Sequence, residues 1–209
     1  MKIALQHLDE EAFDVYNSSA CRVKYDVDYY TRPPPDAIPV GDLPYSTTHV
    51  TLPRVDHYPS FLTDLLHREV RVVDTYPSSA IGFFVKPADT AKRFPAHIID
   101  TTKRARPKGP MYLSAPIRGL VPDSEVRHYV TAGEIVFEEA DTYHELVERK
   151  LEDAPDFHGT IDIATSADGP TLIECDYPIA TGWYGDETNI DVYLDWLVAG
   201  VKWVRERAK

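Results

Sequence analysis

The chain has 209 residues, of which 43% are hydrophobic and 27% charged, an ordinary composition for a globular protein that argues against a disordered chain. The 34 acidic and 22 basic residues give a formal net charge of -12, which repels a phosphate backbone and argues against nonspecific nucleic-acid binding. No apolar run approaches the roughly 20 residues that cross a bilayer, and no secretory segment follows Met1, so we expect a cytoplasmic protein without membrane contact.

The first zone, residues 1–76, is dense in proline and is predicted to be a loop-rich N-terminal lobe. Short strands are expected at residues 1–5 and 70–73. The apolar spacing over residues 59–68 predicts a short amphipathic helix.

The second zone, residues 77–116, is predicted to be a small, basic lobe. An aromatic and β-branched strand covers residues 80–87, and residues 97–99 are expected to return beside it. A basic loop follows at residues 103–109, and residues 111–116 form a short strand or a linker that ends at proline.

The third zone, residues 117–209, is predicted to be the C-terminal lobe. The alternation over residues 124–137 indicates a hairpin, and helical spacing follows over residues 141–151. A closing helix at residues 190–207 is expected to pack on the sheet.

A second hairpin of this zone carries three carboxylates, Asp162, Glu174 and Asp176. Its strands, residues 160–164 and 170–176, flank an Asp-Gly turn signal. Glu174 and Asp176 are two residues apart and therefore project from the same face of a strand. Acidic side chains gathered on a sheet favour a divalent cation such as Mg²⁺, and the alternative is a polar hairpin at the edge of a sheet.

The basic residues of the second zone and the acids of the third suggest binding of a nucleoside triphosphate. Cations hold phosphate oxygens, and carboxylates hold the Mg²⁺ that bridges them. No P-loop signature and no Gly-x-Gly-x-x-Gly pattern is present, so those phosphate-binding loops are excluded. We therefore expect a cleft between two lobes.

Four segments resemble, in order, the strands of the ATP-grasp superfamily, and in particular a compact, partly phage-encoded clade marked by conserved arginines and a lysine. They read FFVKPADTAKRF, YLSAPIRGL, SEVRHYVTAGEIV and IDIATSADGPTLIECDYPIATGWYG. The similarity covers about residues 80 to 200. It implies an α+β fold in which two lobes clasp a nucleotide.

The resemblance also assigns roles to single residues. Lys86 is similar to the lysine that reaches the α and β phosphates of ATP, and Lys92 to a second basic residue of the same lobe. The backbone around Leu113 and Ser114 would meet the adenine edge at the hinge between the lobes. For both lysines the alternative is a solvated surface residue.

Arg127 resembles the arginine that steadies the γ phosphate and an acyl phosphate. A guanidinium can hold two oxygens at once. Glu125 lies on the same strand face and is placed with it in the nucleotide site, although an Arg127–Glu125 surface pair worth little is the alternative. The resemblance makes Asp162, Glu174 and Asp176 the metal ligands, with Glu174 bridging two Mg²⁺ ions.

Two positions depart from the family pattern. Asp176 stands where most of the family has asparagine, and residues 94–97 lack the glycine that lets the phosphate-covering flap close. Mg²⁺ binding is therefore better supported by the sequence than closure over ATP.

These observations leave three functional hypotheses. The leading one is an ATP-dependent carboxylate–amine ligase in which Lys86 and Arg127 are catalytic and small-molecule or peptide substrates are joined through an acyl phosphate. The second is a catalytically inactive ATP- and Mg²⁺-binding module, and the third is an interaction protein whose acidic hairpin is solvated. The oligomeric state is left open, a homodimer being one arrangement.

Overall fold

In the computed structural model, the residues described are 1–5, 10–30, 34, 36–40, 56–75, 78–88, 94–100, 109–178 and 181–207. They form three β-sheets and four α-helices. The two sheets that follow the N-terminal segment are antiparallel, which confirms the predicted α+β class.

The described part of the N-terminal region contains more regular structure than its prolines predict, and the loop-rich lobe itself stays a prediction. Its elements are β1 (Lys2–Leu5), α1 (Glu10–Asn17), α2 (Ser19–Lys24), β2 (Asp26–Tyr29) and β3 (Ile38–Val40). The strands form a parallel sheet in the order β2-β1-β3. Ser18 starts α2 by accepting a hydrogen bond from Cys21 N, and Pro39 lies on the edge strand β3, where a missing N–H is tolerated.

The second sheet, called here the small sheet, has the order β4-β7-β5-β6. Its strands are β4 (Val70–Val73), β5 (Phe84–Pro87), β6 (His97–Ile98) and β7 (Met111–Ser114). Although β4 precedes the predicted boundary at residue 76, it pairs with β7 from Val70↔Ser114 to Val73↔Met111. The domain boundaries themselves stay a prediction.

The third sheet, called here the large sheet, has the order β11-β10-β8-β9. Its strands are β8 (Val126–Thr131), β9 (Glu134–Glu138), β10 (Gly159–Ser166) and β11 (Gly169–Asp176). Both predicted hairpins are therefore present. The turn between β10 and β11 needs Gly169, whose φ of +102° is costly for residues with a Cβ.

The two faces of the large sheet pack against different helices. On one face, Val126 and Val130 join Ile161 in a core with α3 (His144–Leu151). On the other, Tyr129 joins a core formed by α4 (Ile190–Arg207) and the N-terminal sheet. Because side chains alternate along a strand, Arg127 lies on the face of Tyr129.

Four short 3₁₀ turns lie wholly within the described residues, at Ser60–Leu65, Ser78–Ala80, Asp141–Tyr143 and Glu187–Asn189. The predicted amphipathic helix at residues 59–68 is thus shorter and tighter than expected, although its apolar Leu62 and Leu65 are buried. None of the described helices combines the length and apolarity needed to cross a membrane.

Candidate functional site

Three charged residues form a row across the large sheet. The strand register places Asp162 of β10 opposite Arg127 of β8 on one side and opposite Glu174 of β11 on the other. Residues directly opposite each other in antiparallel strands project from the same face. One face of the large sheet therefore carries, side by side on β8, β10 and β11, an arginine and two carboxylates.

Arg127 and Asp162 form a bidentate ion pair in the interior. Arg127 Nε and Nη2 donate to the two carboxylate oxygens of Asp162 at 2.8 and 2.6 Å. Both side chains are buried, with exposed fractions of 5% and 1%. Burial raises the pKa of Asp162 to about 6, against the opposing effect of the hydrogen bonds and charge of Arg127.

The partner of Arg127 is thus Asp162, and the alternative of a surface pair with Glu125 is wrong. Glu125 lies just before β8 and is exposed as a residue, and partial desolvation of its carboxyl group, followed by the charge of Asp162, raises its pKa. The low exposure of Asp162 likewise contradicts a solvated acidic hairpin. His128 faces away from the row, with its Nδ1 3.1 Å from the carbonyl oxygen of Ile161.

Tyr184 covers the guanidinium of Arg127. Its ring centroid lies 3.8 Å from Arg127 Cζ, and the ring is half exposed. The ring is held in place through Tyr129, whose hydroxyl donates to Gly182 O at 2.8 Å and accepts from Tyr184 N at 2.9 Å. Trp183, between Gly182 and Tyr184, packs in the core.

Lys86 brings a cation from the small sheet to the acids of the large sheet. Its buried side chain, on β5, contacts Glu174 on β11. Burial lowers the pKa of Lys86, but the charges of Asp176 and Glu174 more than offset this effect and raise it. Burial, followed by the charge of Asp176, raises the pKa of Glu174.

His57 completes this second group. Its Nδ1 lies 2.8 Å from Asp176 Oδ1, 2.8 Å from the carbonyl oxygen of Cys175 and 3.1 Å from Lys86 Nζ. Burial alone would raise the pKa of Asp176, but the hydrogen bond from His57 and the charge of Lys86 lower it to about 2. Among the described residues, His57, Glu174 and Asp176 are the group whose ligand atoms, all within 4.8 Å of one another, could hold a metal ion.

Arg68 joins the two sheets beside this group. Its Nε donates to Ser114 Oγ at 2.8 Å on β7, while Nη1 and Nη2 donate to Leu172 O and Ile173 O on β11 at 2.6 and 3.0 Å. Burial lowers the pKa of this guanidinium. One side chain thus ties the central strand of the small sheet to the edge strand of the large one.

The comparisons with known proteins concern the fold. No protein-family model matches the sequence, and no curated protein matches it. The chain aligns with D-alanine--D-alanine ligase from Bacillus anthracis over 99% of each chain, with 10% identity and a TM-score of 0.55. It aligns over 98% of its length, and 99% of the other chain, with a RimK domain ATP-grasp protein from Sphaerobacter thermophilus DSM 20745, with 12% identity and a TM-score of 0.51.

The chain has an ATP-grasp-like fold. A further match is the ATP-grasp ligase PsnB complexed with minimal precursor, with 16% identity and a TM-score of 0.43 over 77% of this chain. The chain spans 62% of the length of PsnB. The two alignments with TM-scores above 0.5 confirm the predicted ATP-grasp-like fold, whereas membership of the superfamily and of the narrower phage-related clade stays a prediction.

Within the ATP-grasp-like fold, three further predicted residues lie apart from the ionic groups or outside the described ranges. Leu113 and Ser114 are buried in β7, which lies between β4 and β5, and Ser114 Oγ accepts from Arg68. Their adenine contact stays a prediction. Lys92 and residues 103–108 of the predicted basic loop fall outside the described residues.

Sequence reasoning missed His57 and Arg68. His57 lies 117 residues before Glu174, and no spacing signal links a histidine to an acid at that distance. Arg68 was expected only as the end of a short helix. Both act through contacts between separate parts of the ATP-grasp-like fold, which a search for local motifs does not detect.

Proposed function

We propose that the chain is an ATP-dependent carboxylate–amine ligase whose nucleotide binds between the small and large sheets. The observation that supports this most is that Lys86 from β5 lies beside Glu174 and Asp176 from β11, two strands across the large sheet from Arg127 on β8. Opposite charges from two sheets of an ATP-grasp-like fold suit a triphosphate with its cation. The D-alanine--D-alanine ligase from Bacillus anthracis, whose fold this chain resembles, has a structure in complex with ATP.

The two cations have separate tasks in this proposal. Lys86 is a point charge at the end of a strand and binds phosphate oxygens nearer the nucleoside. Asp162 orients Arg127, because both its oxygens accept hydrogen bonds from one edge of that guanidinium, and we place Asp162 in this role instead of as a metal ligand. Arg127 would then steady the transferred phosphoryl group with the other edge of its planar guanidinium.

Glu174 and Asp176 are the residues that would hold Mg²⁺. Their carboxylate oxygens are the donors that this ion prefers, and they already face a cation, the ammonium of Lys86. A bound Mg²⁺ would neutralise charge on the phosphate oxygens. The residues of the site therefore fit the ion, although Asp176 departs from the usual asparagine.

The proposed reaction has two steps. A substrate carboxylate oxygen attacks the γ phosphorus, the bond to the β-phosphate oxygen breaks, and ADP leaves. An amine nitrogen then attacks the acyl carbon, the carbon–oxygen bond to phosphate breaks, and the amine proton passes to solvent. The protein contributes positioning and charge stabilisation, and no covalent nucleophile is required.

The test measures nucleotide products with Mg²⁺, ATP and arrays of carboxylates and amines. We expect ADP and phosphate in equal amounts with an amide, and a loss of at least about 100-fold in rate for Lys86→Met, since positioned charges supply effects of this size. Exposed Lys24 provides the matched control, Lys24→Met, which should retain the rate. AMP and pyrophosphate as products would contradict the ligase.

One observation favours a second candidate, a nucleotide-binding module without turnover. Nε and Nη2 of Arg127 already donate to both oxygens of Asp162, and the ring of Tyr184 covers the guanidinium, so much of this group is engaged before any substrate arrives. Calorimetric titration with Mg²⁺ and ATP separates the two. Tight binding without ADP formation across the substrate arrays would support the module.

A further inference from the structure

The backbone fixes His57 beside the acids of β11. Cys175 N donates to His57 O at 2.9 Å, so residue 57 extends the edge of the large sheet at the residue between Glu174 and Asp176. The same imidazole has Nδ1 at 2.8 Å from Asp176 Oδ1. It is 5% exposed and packs edge-on against Tyr58 and Tyr112. The imidazole is therefore held in one orientation next to both carboxylates.

The ammonium of Lys86 lies among the atoms of this group. Nζ is 3.1 Å from His57 Nδ1 and contacts Glu174 Oε2, and the charge of Asp176 also acts on it. Three potential ligand atoms thus surround a cation that is tethered to the other sheet. A divalent ion bound at about 2.1 Å from each ligand would keep its ligand atoms within roughly 4 Å of one another. The ligand atoms of this group already lie within 4.8 Å of one another.

We propose that His57, Glu174 and Asp176 form a mixed nitrogen–oxygen site for a first-row transition-metal dication, and that Lys86 competes with this ion for the same position. Imidazole nitrogen favours ions such as Mn²⁺, Co²⁺ and Zn²⁺ over Mg²⁺, for which oxygen ligands are preferred. Metal binding then displaces the ammonium from the acids and releases the proton that Nδ1 of His57 donates to Asp176, because only the nitrogen lone pair binds a metal. The inference deepens the proposed function, on which it rests for the phosphate that the released Lys86 would meet.

The competition follows from charge. Glu174 and Asp176 carry the negative charge that either cation must neutralise, and two cations at the same point would repel each other strongly inside a protein. Removing the ammonium should therefore strengthen metal binding. A purely structural role for Lys86 predicts the reverse, because losing the contact between the sheets would loosen the site.

The experiment uses the full chain without nucleotide. Binding of Mn²⁺ is followed by the loss of the free-ion electron paramagnetic resonance signal, Mg²⁺ binding by its competition with Mn²⁺, and Co²⁺ by its visible absorption. We expect Mn²⁺ to bind at least about tenfold more tightly than Mg²⁺. His57→Gln should weaken Mn²⁺ about tenfold or more while leaving Mg²⁺ within about threefold.

Two variants complete the test. Lys86→Met should bind Mn²⁺ several-fold more tightly, and His67→Gln, which changes an exposed histidine, should match the unaltered chain. Thermal unfolding verifies that each variant is folded. Absence of Mn²⁺ binding, equal effects of His57→Gln on both ions, or weaker binding by Lys86→Met overturns the inference.

These outcomes are separate from those of the proposed function. Histidine-dependent Mn²⁺ binding in a chain that never forms ADP would leave the inference standing and remove the ligase. ADP formation together with metal binding that is unchanged in His57→Gln would leave the ligase standing and remove the inference.

Discussion

The two ion pairs of the site are built in different ways. Arg127 and Asp162 lie opposite each other in one sheet, where the strand register brings them together, and two hydrogen bonds join them. Lys86 and Glu174 come from different sheets, and a single ammonium joins them. The first pair depends only on the ladder of the large sheet, whereas the second also depends on how the two sheets are placed. We infer that the first is scaffold and the second is the contact that a ligand exchanges.

The largest expected effect comes from breaking the pair within one sheet. Asp162→Ala leaves a buried guanidinium without its carboxylate, and the free energy of unfolding should fall by about 3–5 kcal/mol. Urea denaturation measures this change. Arg118→Ala, which removes an exposed pair with Asp168, is the control and should cost under about 1 kcal/mol. If both substitutions lower the free energy of unfolding equally, the Arg127–Asp162 pair contributes no more to stability than an exposed ion pair.

The contact between the sheets is next in size. Arg68→Met removes hydrogen bonds to Ser114 of one sheet and to the carbonyl oxygens of Leu172 and Ile173 of the other. The free energy of unfolding should fall by about 2 kcal/mol, since hydrogen bonds of a charged donor are lost. Hydrogen exchange should quicken in both β7 and β11. Faster exchange in only one of these strands would argue against a connecting role.

Breaking the pair between sheets should cost less stability. Lys86→Met removes one ammonium, and Glu174, whose side chain is 23% exposed, can be hydrated or take up a proton. We expect a loss of about 1 kcal/mol in urea denaturation, near the value for an ordinary net hydrogen bond. A loss as large as that of Asp162→Ala would remove the distinction between scaffold and exchangeable contact.

The smallest effect concerns the ring over Arg127. Tyr184→Ala removes a cation–π contact that is half exposed, and about 0.5–1 kcal/mol of stability should be lost. Tyr184→Phe keeps the ring and should behave as the unaltered chain. If the phenylalanine variant is as unstable as the alanine variant, the hydroxyl matters and the ring does not.

Much of the large sheet could be predicted from the sequence because its strands alternate and its turns carry glycine. The hairpin of Asp162, Glu174 and Asp176 is an example, and its two-residue period places Glu174 and Asp176 on one face. The N-terminal region could not be predicted in this way. Its helices are short, and the prolines that suggested loops lie after them or on an edge strand.

The site was predictable only in part. Arg127 and the acids lie on strands that the sequence predicts. Which of these residues pair depends on which strands are neighbours in the sheet, and the sequence pattern does not show that order. Lys86 and His57 reach Glu174 across 88 and 117 residues of chain. Such contacts depend on how the sheets pack, and no local period encodes that.

The most direct test of the site is a crystal structure with Mg²⁺ or Mn²⁺ and a nonhydrolysable ATP analogue. Lys86 Nζ should have left Glu174 for a phosphate oxygen, with the ion bound by Glu174 and Asp176 and the Arg127–Asp162 pair retained. A triphosphate bound elsewhere, with the Lys86–Glu174 contact intact, would contradict the proposal that these charges form a nucleotide site.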